Sequence, residues 1–165
     1  MADVTIFDRL KQDHDKHRAM LVEIADSAGD ADKRGKLLEA FRIEVSAHAA
    51  AEEQTLYATM LADPELQEDG RHSVSEHKEI EDMILHLYEV KVDGAAWRKG
   101  FDELRTEYDH HITEEEEEMF PEAAERIDDA QEVELAKIFN ERKPHEIEKA
   151  EETDPVEKAK EEKED

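Results

Sequence analysis

The sequence contains no cysteine, which excludes disulfide bonds, thiolate catalysis, iron–sulfur clusters and cysteine-based zinc sites. Turn-forming residues are also scarce, with five glycines and four prolines in 165 residues. Charged residues make up 42% of the chain, and alanine, glutamate, lysine and leucine are plentiful. This composition favours long helices over a sheet, so we expect an all-α protein.

Long apolar runs are absent too, and nothing approaches the roughly 18 apolar residues that a membrane-spanning helix needs. The first residues include acidic side chains and no apolar run, so they do not resemble a signal peptide. The net charge is −26, with 48 acidic against 22 basic residues, and would repel phosphate backbones and anionic lipids. We therefore expect a soluble cytoplasmic protein with neither nucleic acid nor membrane as a partner.

Apolar residues three or four positions apart predict four long helices, at about residues 3–27, 32–61, 71–91 and 95–119. Short connections make successive helices antiparallel, which predicts an up-down-up-down four-helix bundle. A short stretch at 122–127 and a fifth helix at about 131–142 follow. We expect one domain over residues 1–143. Residues 144–165 hold ten acidic and four basic residues, so we expect a disordered or frayed charged tail.

A pattern of metal-binding residue types occurs twice, with an offset of 63 positions. Each copy has a lone histidine and, 34 residues later, a His-x-x-x-Glu. The first copy is His14, His48 and Glu52, and the second is His77, His111 and Glu115. The match extends to neighbours, because Asp13 corresponds to Glu76, Glu53 to Glu116, and Leu56-Tyr57 to Met119-Phe120. This repeat predicts two similar helical hairpins whose ligands point at a common centre.

All six residues lie on the apolar stripe of their helix. A histidine and a glutamate four positions apart share one helix face and can reach the same metal ion. Burying two carboxylates without partners would be costly, and cations would remove that cost. Imidazole and carboxylate ligands without sulfur suit iron, manganese or zinc. A ferritin-like site is disfavoured, because it needs two Glu-x-x-His motifs and Glu107–His110 is the only one near a suitable position.

These motifs resemble the hemerythrin-like HHE cation-binding domain family over about residues 5–143. The matching stretches are Asp13-His14, His48–Tyr57, Glu76-His77 and His111–Pro121. The resemblance implies a four-helix bundle around a non-haem di-iron centre with an oxo or hydroxo bridge. It implies that His14, His48, His77 and His111 are terminal ligands, and that Glu52 and Glu115 bridge the two irons.

One departure from the family concerns a fifth histidine, which oxygen-carrying hemerythrins have one turn before the third-helix histidine. The matching position here is Ser73, and the adjacent His72 would point away from the centre. A ligand position would then be left for water, tyrosine or another side chain, which favours redox turnover or sensing over reversible oxygen carriage. Nearby, His17 and Tyr108 can coordinate, hydrogen-bond or simply pack, and Glu53 and Glu116 can orient a histidine or face solvent.

The hypothesis that we favour is a di-iron protein that reacts with oxygen or peroxide in oxidative or nitrosative stress defence, with a possible catalase-like or peroxidase-like activity. One alternative is a module that binds oxygen or nitric oxide, or senses redox state, and signals through a separate protein partner. Another is iron storage or buffering, or a bundle that holds zinc structurally.

Overall fold

The computed structural model describes residues 3–164, and this part of the chain is helical, without a β-strand. Two five-residue π-helical turns, Glu53–Tyr57 and Glu115–Met119, join α2 to α3 and α5 to α6, so eight α-helices form six continuous helical stretches. The α-helices are α1 Ile6–Asp26, α2 Ala31–Glu52, α3 Ala58–Leu61, α4 Gln67–His86, α5 Ala95–Glu114, α6 Phe120–Ala124, α7 Asp129–Glu152 and α8 Pro155–Glu164.

Helix starts and breaks follow local chemistry. The Thr5 hydroxyl accepts the Asp8 amide at the start of α1, and the Asp30 carboxylate accepts the Lys33 amide at the start of α2. Gly29 has a φ of +89°, in the left-handed region that glycine adopts most readily, so it ends the α1–α2 turn without strain. The four predicted helices occur where expected, and the all-helical prediction is confirmed. The up-down-up-down order remains a prediction.

Two buried apolar clusters lie on either side of the repeated residues. One includes Leu10 and Phe139, and the other includes Leu21 and Trp97. His14 lies between Leu10 and Leu21 on α1, so the repeated polar groups occupy the middle of the helix stripes. The apolar clusters supply the packing energy, because burial of apolar side chains is the main favourable contribution to folding. They thereby fix the helix faces that carry the polar groups.

The prediction of a disordered or frayed tail from residue 144 is not confirmed for the residues that the structure describes. Helix α7 continues through Pro144 to Glu152, and α8 follows it. Ala150 and Ala159 are buried, and the Arg42 guanidinium donates to the Ala150 carbonyl oxygen at 3.0 Å. The tail therefore has packing partners despite its high charge. The division of the chain at residue 143 remains a prediction, although α7 continues across it.

Ion pairs join α8 to α4 and to the segment that follows α4. The Lys78 ammonium lies 2.8 Å from the Glu162 carboxylate, and two further pairs join Lys158 to Glu81 and Lys163 to Glu89. Each lysine thus lies beside a carboxylate of the facing segment, where an exposed ion pair adds only a small stabilisation. Among residues 3–164, no helix combines the length and apolar character that crossing a bilayer requires.

Candidate metal centre

The fold brings the six repeated residues together in the interior. Their ligand atoms form two overlapping groups that share Glu52, and within each group these atoms lie within 4.8 Å of one another. Five of the six residues are at most 2% exposed, and the His77 side chain is 9% exposed. The two groups are His14, His48 and Glu52, and Glu52, His77, His111 and Glu115. Two cation positions with a shared carboxylate are the arrangement expected of a dinuclear site.

Distances within the cluster repeat the internal symmetry. The imidazole rings of His14 and His48 have centroids 5.2 Å apart, and those of His77 and His111 are 4.9 Å apart. A Glu52 oxygen lies 3.2 Å from Nε2 of His77 and 3.7 Å from Nε2 of His48, so it reaches both halves. Glu115 approaches Nε2 of His111 at 2.6 Å.

The cluster lacks hydrogen bonds that its burial would otherwise require. The carboxylates of Glu52 and Glu115 lie near imidazole rings, but none of their oxygens makes a contact with hydrogen-bond geometry among the described residues, and neither do Nε2 of His14 and Nε2 of His48. Buried polar atoms are normally paired, because an unpaired one costs about 1–3 kcal/mol and a buried charge costs more. Cations would supply these missing partners. The donor set, nitrogen and oxygen without sulfur, fits iron.

Carboxylates outside the cluster hold the other nitrogen of three of the four histidines. Nδ1 of His48 lies 2.8 Å from the Asp13 carboxylate, and Nδ1 of His111 lies 3.0 Å from the Glu76 carboxylate. A carboxylate at this position keeps the proton on Nδ1 and leaves Nε2 free to bind a metal. Asp13 and Glu76 are equivalent in the repeat, so the supporting contacts are also duplicated. The sequence contained this signal in the acidic residue before each lone histidine, but we did not predict the role.

The second pair of supporting carboxylates is unequal. Nδ1 of His14 lies 2.8 Å from Glu116, which Arg18 also contacts, at 2.9 Å. The equivalent distance from Nδ1 of His77 to Glu53 is 4.0 Å, and the Glu53 side chain is 38% exposed. Of the two alternatives left open by the sequence, orientation of a histidine therefore fits Glu116 directly, whereas Glu53 is only nearby.

Charges within the cluster shift the ionisation of its members. Burial alone would lower the pKa of His111, but the Glu115 carboxylate raises it to about 10. Burial also lowers the pKa of His77, but the contact with Glu52 raises this pKa to about 9. For His48, burial dominates over Asp13 and lowers the pKa to about 4. Without a cation, the two carboxylates thus hold protons on the histidines of the second copy.

Helix geometry changes at the ligand carboxylates. The π-helical turns begin at Glu53, directly after Glu52, and at Glu115 itself. A π-helical turn is rare and occurs frequently at functional sites, because its extra residue changes the direction in which side chains project. The two turns begin 62 positions apart, one short of the repeat offset of 63, so they lie at nearly equivalent places in the two copies. Sequence reasoning missed them, since apolar periodicity does not distinguish a single wide turn inside a helix.

Aromatic and polar neighbours break the internal symmetry. Tyr57 is fully buried with its hydroxyl 3.4 Å from Nε2 of His77, whereas its counterpart Phe120 has no hydroxyl and stacks near His14. Burial raises the pKa of Tyr57 well above its usual value. The sequence repeat aligned the two residues, yet we did not predict Tyr57 as a site residue. Its hydroxyl makes the His77 side chemically different from the His14 side.

His17 and Tyr108 form a hydrogen-bonded pair next to the ligand residues His48 and His111. Nδ1 of His17 lies 2.5 Å from the Tyr108 hydroxyl, and both side chains are buried. Ser73 stands at the position where oxygen-carrying hemerythrins have a fifth histidine. It is buried, and its hydroxyl lies 2.9 Å from the Met119 sulfur. The remaining histidines are exposed: His72, His86, His110 and His145.

Comparison with known proteins agrees with this geometry. The model of the hemerythrin HHE cation binding domain family matches residues 5–123. Among solved structures, a hemerythrin HHE cation binding domain-containing protein from Mycobacterium kansasii superposes with a TM-score of 0.78 at 22% sequence identity. The alignment covers 88% of this chain and 89% of that one, and it shows that the fold is shared. Comparison with curated proteins finds no match. The family match spans more than half of the sequence, and the chain therefore belongs to the hemerythrin HHE cation-binding domain family.

Proposed function

We propose that this protein binds two iron ions between four antiparallel helices and reacts with oxygen or peroxide in cellular stress defence. In this proposal His14, His48, His77 and His111 would hold the two iron ions, with Glu52 and Glu115 as the carboxylates that would neutralise their charge. The observation that carries the proposal is the set of buried, unpartnered nitrogen and oxygen atoms arranged as two overlapping groups. The metal-binding domain is proposed to comprise residues 1–143, in the cytoplasm.

Iron held there would supply the electrons or the Lewis acidity for oxygen and peroxide chemistry. The protein's own residues would set the conditions. Asp13, Glu76 and Glu116 hold the Nδ1 protons of three histidines, which fixes the orientation of their rings. Apolar clusters pack on either side of the ligand residues along the helices and hold the helix faces in place. Ser73 contacts a sulfur atom, which supports a centre with a vacant position over one with five histidines.

Peroxide turnover tests the enzymatic part of this proposal. Protein expressed with iron should evolve oxygen from hydrogen peroxide continuously, in proportion to protein concentration. Glu115→Ala should lose this activity, and the matched control His110→Ala, which alters an exposed neighbour of a proposed ligand, should retain it. A single bleaching of the absorption spectrum without oxygen evolution would contradict turnover.

A binding or sensing role is the second candidate, favoured by Tyr57, whose buried hydroxyl lies beside His77 and can hydrogen-bond a small ligand at that side of the centre. Repeated cycles between oxygen and vacuum test it. Reversible spectral change with no peroxide turnover would favour binding. The loss of the reversible change in Tyr57→Phe would assign the ligand to that side.

A further inference from the structure

A cavity of about 540 Å³ opens on one side of the candidate metal centre. At its inner end lie His48, His77 and His111, and its side walls come from α2, α4 and α5. At about 30 Å³ for each water molecule, the cavity has room for roughly 18 waters. A dioxygen or peroxide molecule, with two oxygen atoms, needs only a small part of this volume. The cavity is therefore much larger than the small ligands of the proposed function require.

The internal repeat accounts for part of this space. His17 and Tyr108 form a buried pair beside the centre, and Tyr108 also lines the cavity. Adding 63 to His17 gives Ile80, and subtracting 63 from Tyr108 gives Val45. Both of these equivalent residues line the cavity. A large hydrogen-bonded pair at one set of repeat positions thus corresponds to two smaller aliphatic side chains at the other set, and the difference leaves open volume at Val45 and Ile80.

One part of the cavity wall is aliphatic. Besides Val45 and Ile80 it includes Val74, Ile84 and Ile112, with the small side chains of α2 between them. Such a surface holds water poorly, because buried water needs two to four polar partners. The binding free energy of a ligand that covers this surface becomes more favourable in proportion to the apolar area removed from water. The wall therefore favours a hydrocarbon chain over water or a polyhydroxylated ligand.

The outer boundary comes from residues beyond the family match, on α7 and α8. Lys149 lies 3.7 Å from Glu146, and Lys158 pairs with Glu81. These four residues line the cavity together with Glu53 and Lys78, so acidic and basic side chains balance and form no patch of one sign. Recognition of a charged group is therefore not the basis of binding here, and the aliphatic wall sets the ligand class.

We propose that the cavity binds a linear aliphatic molecule with one small uncharged polar end. The hydrocarbon chain packs against Val45, Ile80 and Ile84, and the polar end lies toward His77 and His111. This inference deepens the proposed function, because it places the ligand beside the same centre and names its chemical class. It assigns the extra volume to an organic molecule, in addition to any small oxygen ligand.

Isothermal titration of the full chain with 1-butanol, 1-hexanol and 1-octanol tests the proposal. Affinity should rise about fourfold for each added methylene, as expected when hydrocarbon leaves water for an apolar wall. Saturable binding of one 1-octanol per chain is the expected result. No measurable binding, or an affinity independent of chain length, would overturn the proposal.

Two variants that fill the cavity locate the binding site. Val45→Phe places an aromatic ring where the equivalent position of the repeat already carries Tyr108, so we expect the helix to tolerate it. Ala50→Leu fills a second part of the wall. Each should weaken 1-octanol binding tenfold or more. Ala40→Leu, at an exposed position of α2, is the matched control and should bind as the unaltered chain does.

Metal content, measured on the same preparations, separates the two proposals. If 1-octanol binds as described and iron is absent, the proposed function fails and the cavity proposal stands. If iron is bound and 1-octanol is not, only the cavity proposal fails. Wild-type affinity in both Val45→Phe and Ala50→Leu, with circular dichroism confirming that they fold, would also overturn it.

Discussion

The Asp13 carboxylate lies 2.8 Å from Nδ1 of His48, and through Asp13 the candidate metal centre is connected to α7. The same carboxylate lies 2.9 Å from the buried ammonium of Lys143 on α7. Burial would raise the pKa of Asp13, but its contacts with His48, Arg9 and Lys143 hold that pKa far below the usual range. Asp13 is therefore charged at neutral pH, and it orients a proposed ligand while pairing with a residue 130 positions away.

Replacing Asp13 should weaken metal binding without removing a proposed ligand. In Asp13→Asn the group beside His48 loses its charge, and supporting contacts of this kind are worth about 10-fold to 100-fold in metal affinity. Glu76→Gln should have a similar effect through His111. Iron affinity, measured by competition with a chelator, checks the prediction. Asp15→Asn, on the same helix with a side chain that is 77% exposed, is the control, and equal affinities in all three variants would contradict it.

Removing the buried ammonium should destabilise the fold. Lys143→Ala leaves the carboxylates of Asp13 and Glu44 without their shared partner, and breaking a buried ion pair costs about 3–5 kcal/mol. The free energy of unfolding, from urea titration, should fall by an amount in this range. Lys137→Ala, at an exposed position of α7, should change it by less than about 0.5 kcal/mol. A similar small change in Lys143→Ala would show that the pair contributes little.

The stability of the fold should depend on pH through the carboxylate of Glu44. Burial would raise the pKa of Glu44, but His17 and Lys143 lower it to about 2 from the usual 4.5. Because the folded pKa is the lower one, the charge stabilises the fold fully above about pH 5, and this contribution disappears as the pH falls through about 2. Glu44→Gln should therefore lower the free energy of unfolding by about 3 kcal/mol at pH 7.

Urea titrations of the metal-free protein between pH 3 and pH 7 measure this dependence. The gap in the free energy of unfolding between the unaltered chain and Glu44→Gln should stay constant down to about pH 5 and narrow between pH 5 and pH 3. The exposed Glu23→Gln on α1 is a matched control and should give a parallel curve. A gap that stays constant over this range would assign the effect to packing and not to charge.

The C-terminal helix should limit access to the centre. A chain that ends at Thr153 lacks α8, and with it Lys158 at the mouth of the cavity and the ion pairs to α4. We expect unchanged iron content, because the proposed ligands all precede residue 116. We expect faster removal of iron by a chelator, since the cavity that reaches His77 and His111 is less enclosed. Equal rates of removal for the two chains would contradict a role in access.

Much of this arrangement could be predicted from sequence because repetition and periodicity are local signals. The 63-residue offset identified the six clustered residues, and the apolar stripes predicted their helices. The tail could not be predicted in this way. Composition averaged over residues 144–165 hides single small residues such as Ala150 and Ala159, whose burial depends on a facing helix. Pro144 also indicated a helix end, yet the helix passes through it.

Relationships across the bundle were equally hidden. In the sequence Lys143 cannot be distinguished from surface lysines, and only folding brings it to Asp13 and Glu44. The hydroxyl of Tyr57 beside His77 depends on the π-helical turn that contains it, a backbone feature with no periodic signature. These contacts distinguish the two sides of a centre that the sequence repeat presents as equal.

The metal content of the purified chain tests the central claim most directly. Elemental analysis of protein expressed with iron, combined with its visible absorption spectrum, should give two irons per chain and near-ultraviolet bands of a bridged pair. Glu52→Ala and Glu115→Ala should lose metal, while His110→Ala should keep it. A chain that folds but holds less than one metal ion, or that keeps both ions in Glu52→Ala and Glu115→Ala, would contradict the account.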